Sequence, residues 1–367
     1  MRASRIERWF SEAGRPPAID LARSGAPARS TSDLLELASP ADRDAYLRLG
    51  LDYGAATGSE RLRKAVAAST GARSSEQVII TNGAVEALLL ACACALGRGR
   101  RVAVAGPAYE GLSRAAEAAG ATAVPVPVWG PESPHLSLSR LTPALLSSCA
   151  AVVVNSPHNP TGLVADGAEL ADLARRCAYT GTVLIVDEVA SATLDPTAGS
   201  LAGAAVFGDT PVVVVGDVSK SLGLGGLRIG WLISAHPALL RRAAELRDLT
   251  SMGNSAPSQH LAAVALESRG RLHVGPLART NLAALREWAD TLPGARLPVP
   301  VDGMVAFPRL PLPEPSLAFA ERVRLRAGVS VAPGAFFGHD DRLRLGLGSE
   351  PAQFSEGLAR LSAAMAP

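Results

Sequence analysis

Between residues 50 and 250 of this 367-residue chain, short runs of branched aliphatic residues alternate with alanine-rich or amphipathic stretches. That rhythm predicts an α/β fold in which a mainly parallel sheet is covered by helices on both faces. Seven segments read as strands: 77–81, 101–105, 121–128, 150–155, 182–187, 211–216 and 227–234. Several are apolar throughout (AVVVN, TVLIVD, PVVVVG), as strands buried on both faces should be. Such sheets bind ligands at the carboxyl ends of their strands. The polar residues that close the runs therefore carry the first functional interest: Asn82, Asn155, Asp187 and the turn 217–220.

After residue 250 the texture changes to longer helical periods at 257–268, 277–291, 317–327 and 353–364, separated by proline-rich loops, with short strands near 304–309 and 342–347. This predicts a large domain over 46–250 and a smaller α+β domain formed by 1–45 together with 251–367. No internal repeat is visible, and the prolines of 308–315 read as an ordered connector.

Composition narrows the function. With 48% hydrophobic and 19% charged residues the chain can bury a sizeable core. Its 36 basic and 34 acidic residues are interspersed without a basic block, so nucleic acid is not an expected partner. Cys92, Cys94, Cys149 and Cys177 show no C-x-x-C spacing and the six histidines no H-E-x-x-H pair, which predicts buried free thiols and no metal site. The N-terminal MRASRIERWFSEAG lacks an apolar leader, and the longest apolar run, 87–96, is too short for a bilayer. A cytoplasmic protein without membrane contact is expected. The excess of arginine and alanine reads as genomic base composition.

Only two lysines occur, Lys64 and Lys220, and Lys220 follows an apolar strand in DVSKSLGLGGLRIGW. Amine chemistry therefore has few places to reside. Four segments then fall in a telling order: TNGAVEA at 81–87, NSPHNPTG at 155–162, VDEV at 186–189, and Ser219-Lys220 followed by Arg228-Ile229-Gly230. Together they resemble the class I/II aminotransferases, pyridoxal-phosphate enzymes of fold type I, from about Tyr53 to the C-terminus. The resemblance implies an α-amino acid substrate, pyridoxal 5'-phosphate as cofactor, and a fold-type-I large domain with a seven-stranded sheet plus a smaller C-terminal α+β domain.

Each motif residue then has an expected role. Lys220 would form the Schiff base with the cofactor aldehyde and shuttle the Cα proton, since a desolvated amine near cations can fall toward neutrality. Asp187 would pair with the pyridine nitrogen and keep the ring an electron sink. Asn159 would donate to the ring 3-oxygen, although NPTG can also be only a tight turn. Gly83, Ala84 and Val85 open a helix directly after a strand, where free N–H groups can hold the phosphate, with Arg228 and Ser219 adding donors. Tyr109 is placed to stack on the pyridine. Tyr53 would reach the phosphate of a neighbouring subunit, which implies a homodimer with active sites at the interface. Arg344, in DDRLRLGLG, matches the arginine that grips the substrate α-carboxylate, with Arg342 two residues earlier as the competing assignment.

Two positions depart from the family pattern. Ala190 stands where the family usually has a tyrosine bonded to the 3-oxygen, and Asp217 stands where a hydroxyl residue usually meets the phosphate. The runs GMVAFPRL and VSVAPGAFFG are similar to a subgroup containing capreomycidine synthase and other tailoring enzymes of bacterial natural products. Three readings follow: an aminotransferase; a lyase, cyclase or decarboxylating or oxidative deaminase acting on a modified amino acid in natural-product biosynthesis; and a non-catalytic regulator on the same fold.

Overall fold

The structure, a computed structural model, describes residues 4–12, 17–191, 210–272, 274–298 and 303–366. A two-residue strand, β1 (Ile19–Asp20), precedes the main sheet of β2 (Val78–Thr81), β3 (Arg101–Gly106), β4 (Thr122–Pro127), β5 (Ala151–Asn155), β6 (Val183–Asp187), β7 (Val212–Asp217) and β8 (Gly230–Ile233). Their spatial order is β2-β8-β7-β6-β5-β3-β4, and only β8 runs against its neighbours. Later come β9 (Val305–Ala306), β10 (Val329–Ser330), β11 (Ala332–Pro333) and β12 (Leu343–Gly346). β11, β12 and β9 form an antiparallel sheet, whereas β1 pairs in parallel with β10.

All seven strands of the main sheet fall on the segments the apolar runs predicted, β3 and β7 each running one residue past the expected end, to Gly106 and Asp217. β5, β6 and β7 are buried at every position, because helices cover both of their faces. One boundary differs by more. The expected strand 227–234 starts late, at Gly230, because residues Gly225–Leu227 make a 3₁₀ turn and Arg228 adopts a left-handed φ of 53°. The segment near 304–309 forms a continuous strand only at Val305 and Ala306, since Pro308, which has no N–H to donate, soon follows. The proline-rich stretch beyond it is tied down where Arg309 bridges to Arg296 and Arg342.

Separate apolar clusters fill the molecule. Two lie on the faces of the main sheet, and a third gathers Ile19, Leu21 and Ala26 with residues from Val274 to Leu361. The N-terminal thread joins them. Leu21 N–H donates to Ser330, its carbonyl accepts from Gly346 N–H, and Ala26 N–H donates to the carbonyl of Lys220. The fit is close enough that a Cβ on Gly346 would sit 1.7 Å from the Arg23 carbonyl oxygen, and one on Gly25 would sit 3.1 Å from Lys220 Cα.

A Gly346→Ala substitution must therefore push backbone away from backbone. It is expected to lower unfolding stability by about 1–3 kcal/mol, read by urea titration. Gly167→Ala, at the first turn of the helix Gly167–Thr180 with nothing within 4 Å, is the matched control and should leave stability unchanged or slightly raised.

Candidate active site

The sheet register brings its polar strand ends to one edge. Asn155 pairs with Asp187 across β5 and β6, and Gly230 at the start of β8 faces both Asp217 and Thr81. The chain leaves β3 for the sheet edge at β4 and then returns to β5, so the turns after β3 and β5 diverge and open a crevice, the usual ligand position in doubly wound sheets. Tyr109 follows β3, Asn159 follows β5, Asp187 closes β6, and Lys220 occupies the short helix Ser219–Leu222 after β7.

Asp187 is 6% exposed, and its Oδ1 accepts the Val189 N–H at 3.0 Å. Burial, reinforced by the charge of Asp217, pushes its pKa up to about 7, against the pull of the Val189 N–H and Lys220. Lys220 is half-buried, and desolvation lowers its pKa, with Arg344 and Arg23 acting in the same sense and Asp217 and Glu7 opposing. Arg344, on β12, is 2% exposed. Its Nη1 donates to Asn159 Oδ1 at 3.3 Å, its Nη2 donates to the Ala22 carbonyl, and its Nε has no partner. Burial brings its pKa down to about 10.

Asn155 fastens these parts together. Its Nδ2 donates to the Asp187 carbonyl at 3.0 Å, and its Oδ1 accepts the Asn159 N–H at 2.7 Å. The NPTG turn therefore does more than reverse the chain: it holds Asn159 against Arg344. Tyr109 is half-buried, and its hydroxyl donates to Glu7 Oε1 at 2.7 Å. Desolvation and the Glu7 charge raise its pKa. Beside Lys220 opens a cavity of about 590 Å³ lined by Arg23, Gly25, Arg29, Ser219 and Leu224, among others.

A second cluster adjoins the first. Helix Ala84–Ala95 starts directly after β2 with Gly83 as its N-cap and no side chain on its free N–H groups. Arg228 lies over this start, its Nη2 donating to the Asn82 carbonyl at 3.3 Å and its Nη1 to the Gly225 carbonyl at 3.0 Å. Only glycine fits here, since a Cβ on Gly83 would fall 2.3 Å from Arg228 Nη2 and one on Gly230 2.5 Å from the Gly83 carbonyl carbon. Bare amides facing a guanidinium make a cradle for an anion.

The structure thus gathers Lys220, Asp187, Asn159, Tyr109 and Arg344, and beside them Gly83, Ala84, Val85 and Arg228. Two predicted residues behave differently. Tyr53 is 88% exposed on a loop. Ser219 turns its hydroxyl to Asp217 Oδ1 at 2.6 Å and its N–H to the same oxygen at 2.8 Å, so the carboxylate is occupied locally. Arg342 is clearly diverted: it donates to the carbonyls of Phe307 and Pro131 and to Glu132 and lies over the Trp129 ring.

Sequence reasoning passed over three contributors. Asn254 donates to the Thr81 carbonyl at 2.8 Å and to Asn82 Oδ1 at 2.9 Å, supporting the cradle from behind. Gly25 gives Lys220 its close backbone neighbour. Glu7 stands on an N-terminal helix, Arg5–Glu12, whose apolar spacing (Ile6, Trp9, Phe10) was the signal available.

Residues 41–361 match the family model for aminotransferase class I and II, and the chain belongs to that family. It is a pyridoxal-phosphate-dependent enzyme acting on amino acids. Capreomycidine synthase from Streptomyces vinaceus is 34% identical to it over 98% of this chain and 93% of its own length. Arginine–pyruvate transaminase from Pseudomonas aeruginosa is 32% identical over 84% of this chain and 81% of its own. Among solved structures, the PLP-dependent cyclase OrfR superposes with a TM-score of 0.86 at 27% identity, covering 100% of this chain and 97% of its own.

An acid whose folded pKa lies above its unfolded value favours folding only while protonated. For Asp187 that contribution is full below about pH 4 and lost as pH rises through about 7. In cofactor-free protein, Asp187→Asn should therefore match the parent in stability near pH 4 and exceed it at pH 8, by an amount on the order of 4 kcal/mol. Chemical denaturation at the two pH values measures the gap.

Proposed function

We propose that this chain is an amino-acid aminotransferase in which Lys220 carries the cofactor and moves the substrate Cα proton. The observation that carries the reading is the meeting of an amine, a carboxylate and a guanidinium (Lys220, Asp187, Arg344) in one crevice, none of them in an ion pair among the described residues. The donor set fits pyridoxal phosphate. Gly83, bare of a Cβ, lets the Arg228 guanidinium lie against the uncapped helix start, Asp187 offers a buried acid for the ring nitrogen, and Asn159 sits within reach of the same crevice. When bound, the cofactor supplies an electron sink that acidifies the Cα–H bond of an attached amino acid.

The protein's own residues do the rest. Desolvation and the neighbouring Arg344 hold the Lys220 amine toward its neutral form, so it can take a proton from Cα and return it. Arg344 accepts the α-carboxylate, with Asn159 and the Ala22 carbonyl fixing its plane. Fixing the carboxylate selects which Cα bond is turned for cleavage. The 3-oxygen side has no hydroxyl at Ala190, and Asp217 is bound to Ser219. These features, with the likeness to capreomycidine synthase and OrfR, favour a second reading in which the same deprotonation leads to loss of a β-substituent and ring closure.

The same reading makes the enzyme a cytoplasmic homodimer whose Tyr53 reaches the partner's phosphate. It is supported by a strip of exposed apolar residues, Leu47 at 79% and Leu51 at 82%, leading to Tyr53.

The test incubates holoenzyme with amino acids, arginine first, with and without pyruvate. New alanine is the expected product; ammonia or a cyclised product without alanine transfers the assignment to the second reading. Arg344→Lys is expected to keep the cofactor's visible band while lowering kcat/KM by about 100-fold, the loss of two charge-assisted hydrogen bonds.

A further inference from the structure

Helix Arg5–Glu12 is docked over the crevice by contacts that leave little freedom at residue 7. Glu110 accepts the Arg5 N–H at 2.6 Å, Arg5 Nε at 2.7 Å and the Ser4 hydroxyl at 3.2 Å. Ile6 is buried, and Trp9 packs edge-on against Phe336 with ring centroids 6.1 Å apart. Below the helix, Tyr109 folds back over Gly111, where a Cβ would fall 2.1 Å from the ring. The phenol reaches Glu7 from this fixed position.

Glu7 is solvent-exposed, and its carboxylate forms no ion pair among the described residues. Its charge nonetheless acts on both Lys220 and Arg344. An amino acid whose α-carboxylate lies on Arg344 and whose Cα lies at Lys220 must send its side chain onward into this same space. The carboxylate there is complementary to a cation. Arg23 and Arg29 also border the cavity beside Lys220, Arg23 paired with Asp20 at 3.6 Å and Arg29 turned to the Leu272 carbonyl at 3.0 Å, whereas Tyr109 and Glu7 meet on the side of the helix Arg5–Glu12. Glu7 is thus a carboxylate of this space with a neutral phenol, and no cation, on its oxygen among the described residues.

The geometry points to Glu7, held by Tyr109, as the specificity residue that accepts a cationic side chain, a guanidinium or an ammonium, on the substrate. The inference rests on the site reading above and deepens it. A carboxylate accepting a bidentate guanidinium discriminates strongly against a neutral isostere, because the unpaired partner is left desolvated.

Holoenzyme and its Glu7→Gln and Glu7→Asp variants are compared on arginine, ornithine, lysine, citrulline and glutamate, following the cofactor's absorbance change in single turnover. Gln keeps an acceptor for the Tyr109 hydroxyl, so the variant isolates charge. The parent should prefer arginine to its neutral isostere citrulline by at least about 30-fold. Glu7→Gln should lower kcat/KM for arginine by about 10–100-fold and erase most of that preference, with Glu7→Asp intermediate. An arginine-to-citrulline ratio unaltered by Glu7→Gln, a preference for glutamate, or a holoenzyme silent to every basic amino acid overturns the assignment. Borohydride separates this from failure of the site itself: if reduction does not fix the cofactor on Lys220, the underlying reading falls as well.

Discussion

Burial of charge without matching partners is the constraint on which the rest of this structure depends. Asp187 and Arg344 lie inside the crevice and Lys220 half inside it, and none has an ion pair among the described residues. Desolvation moves each toward its neutral form, raising the acid and lowering the two bases. Asp217 cannot relieve the strain, since what it does for Lys220 it undoes for Asp187. Such a site persists only if the surroundings cannot relax around it. A molecule bearing a cation for Asp187 and a carboxylate for Arg344 then gains in both places.

The surroundings meet that requirement with backbone rather than side chains. Asn155 ties the turn after β5 to the end of β6, and the thread 19–26 presents carbonyls and amides to Arg344, Gly346 and Lys220. Glycines at 25, 83, 230 and 346 allow contacts that any Cβ would tighten or prevent. Because the thread contacts both the sheet's cluster and the C-terminal one, the lysine and the arginine, which come from different clusters, keep a common frame.

Much of this was legible in the sequence. Apolar runs marked β5, β6 and β7 most sharply because parallel strands buried at every position must be apolar, and Asn155 and Asp187, which end two of those runs, proved to sit at the crevice. The glycine at 83 and the lysine at 220 announced themselves by composition and position. What escaped depended on long-range contacts. The direction of the Ser219 hydroxyl is set by a carboxylate two residues away, which periodicity does not report. Glu7 lies in a segment that reads as a charged, irregular terminus, and its relevance arises only when Glu110, more than a hundred residues on, receives Arg5. Asn254 likewise acts through the Thr81 and Asn82 it happens to meet.

The two arginines of β12 and its approach show how surroundings decide a role that sequence leaves open. Arg342 and Arg344 are two residues apart, so strand alternation assigns them the same face. Arg342, however, ends between the rings of Trp129 and Phe307, with the Glu132 carboxylate already supplying a counter-charge at 2.9 Å. Arg344 has acceptors of a different kind, one amide oxygen and one carbonyl, which orient the guanidinium without neutralising it. A buried guanidinium that is oriented yet not neutralised is a site for an incoming carboxylate; one that is already neutralised is part of the wall. Electrostatic completeness, more than position along the strand, separates the two.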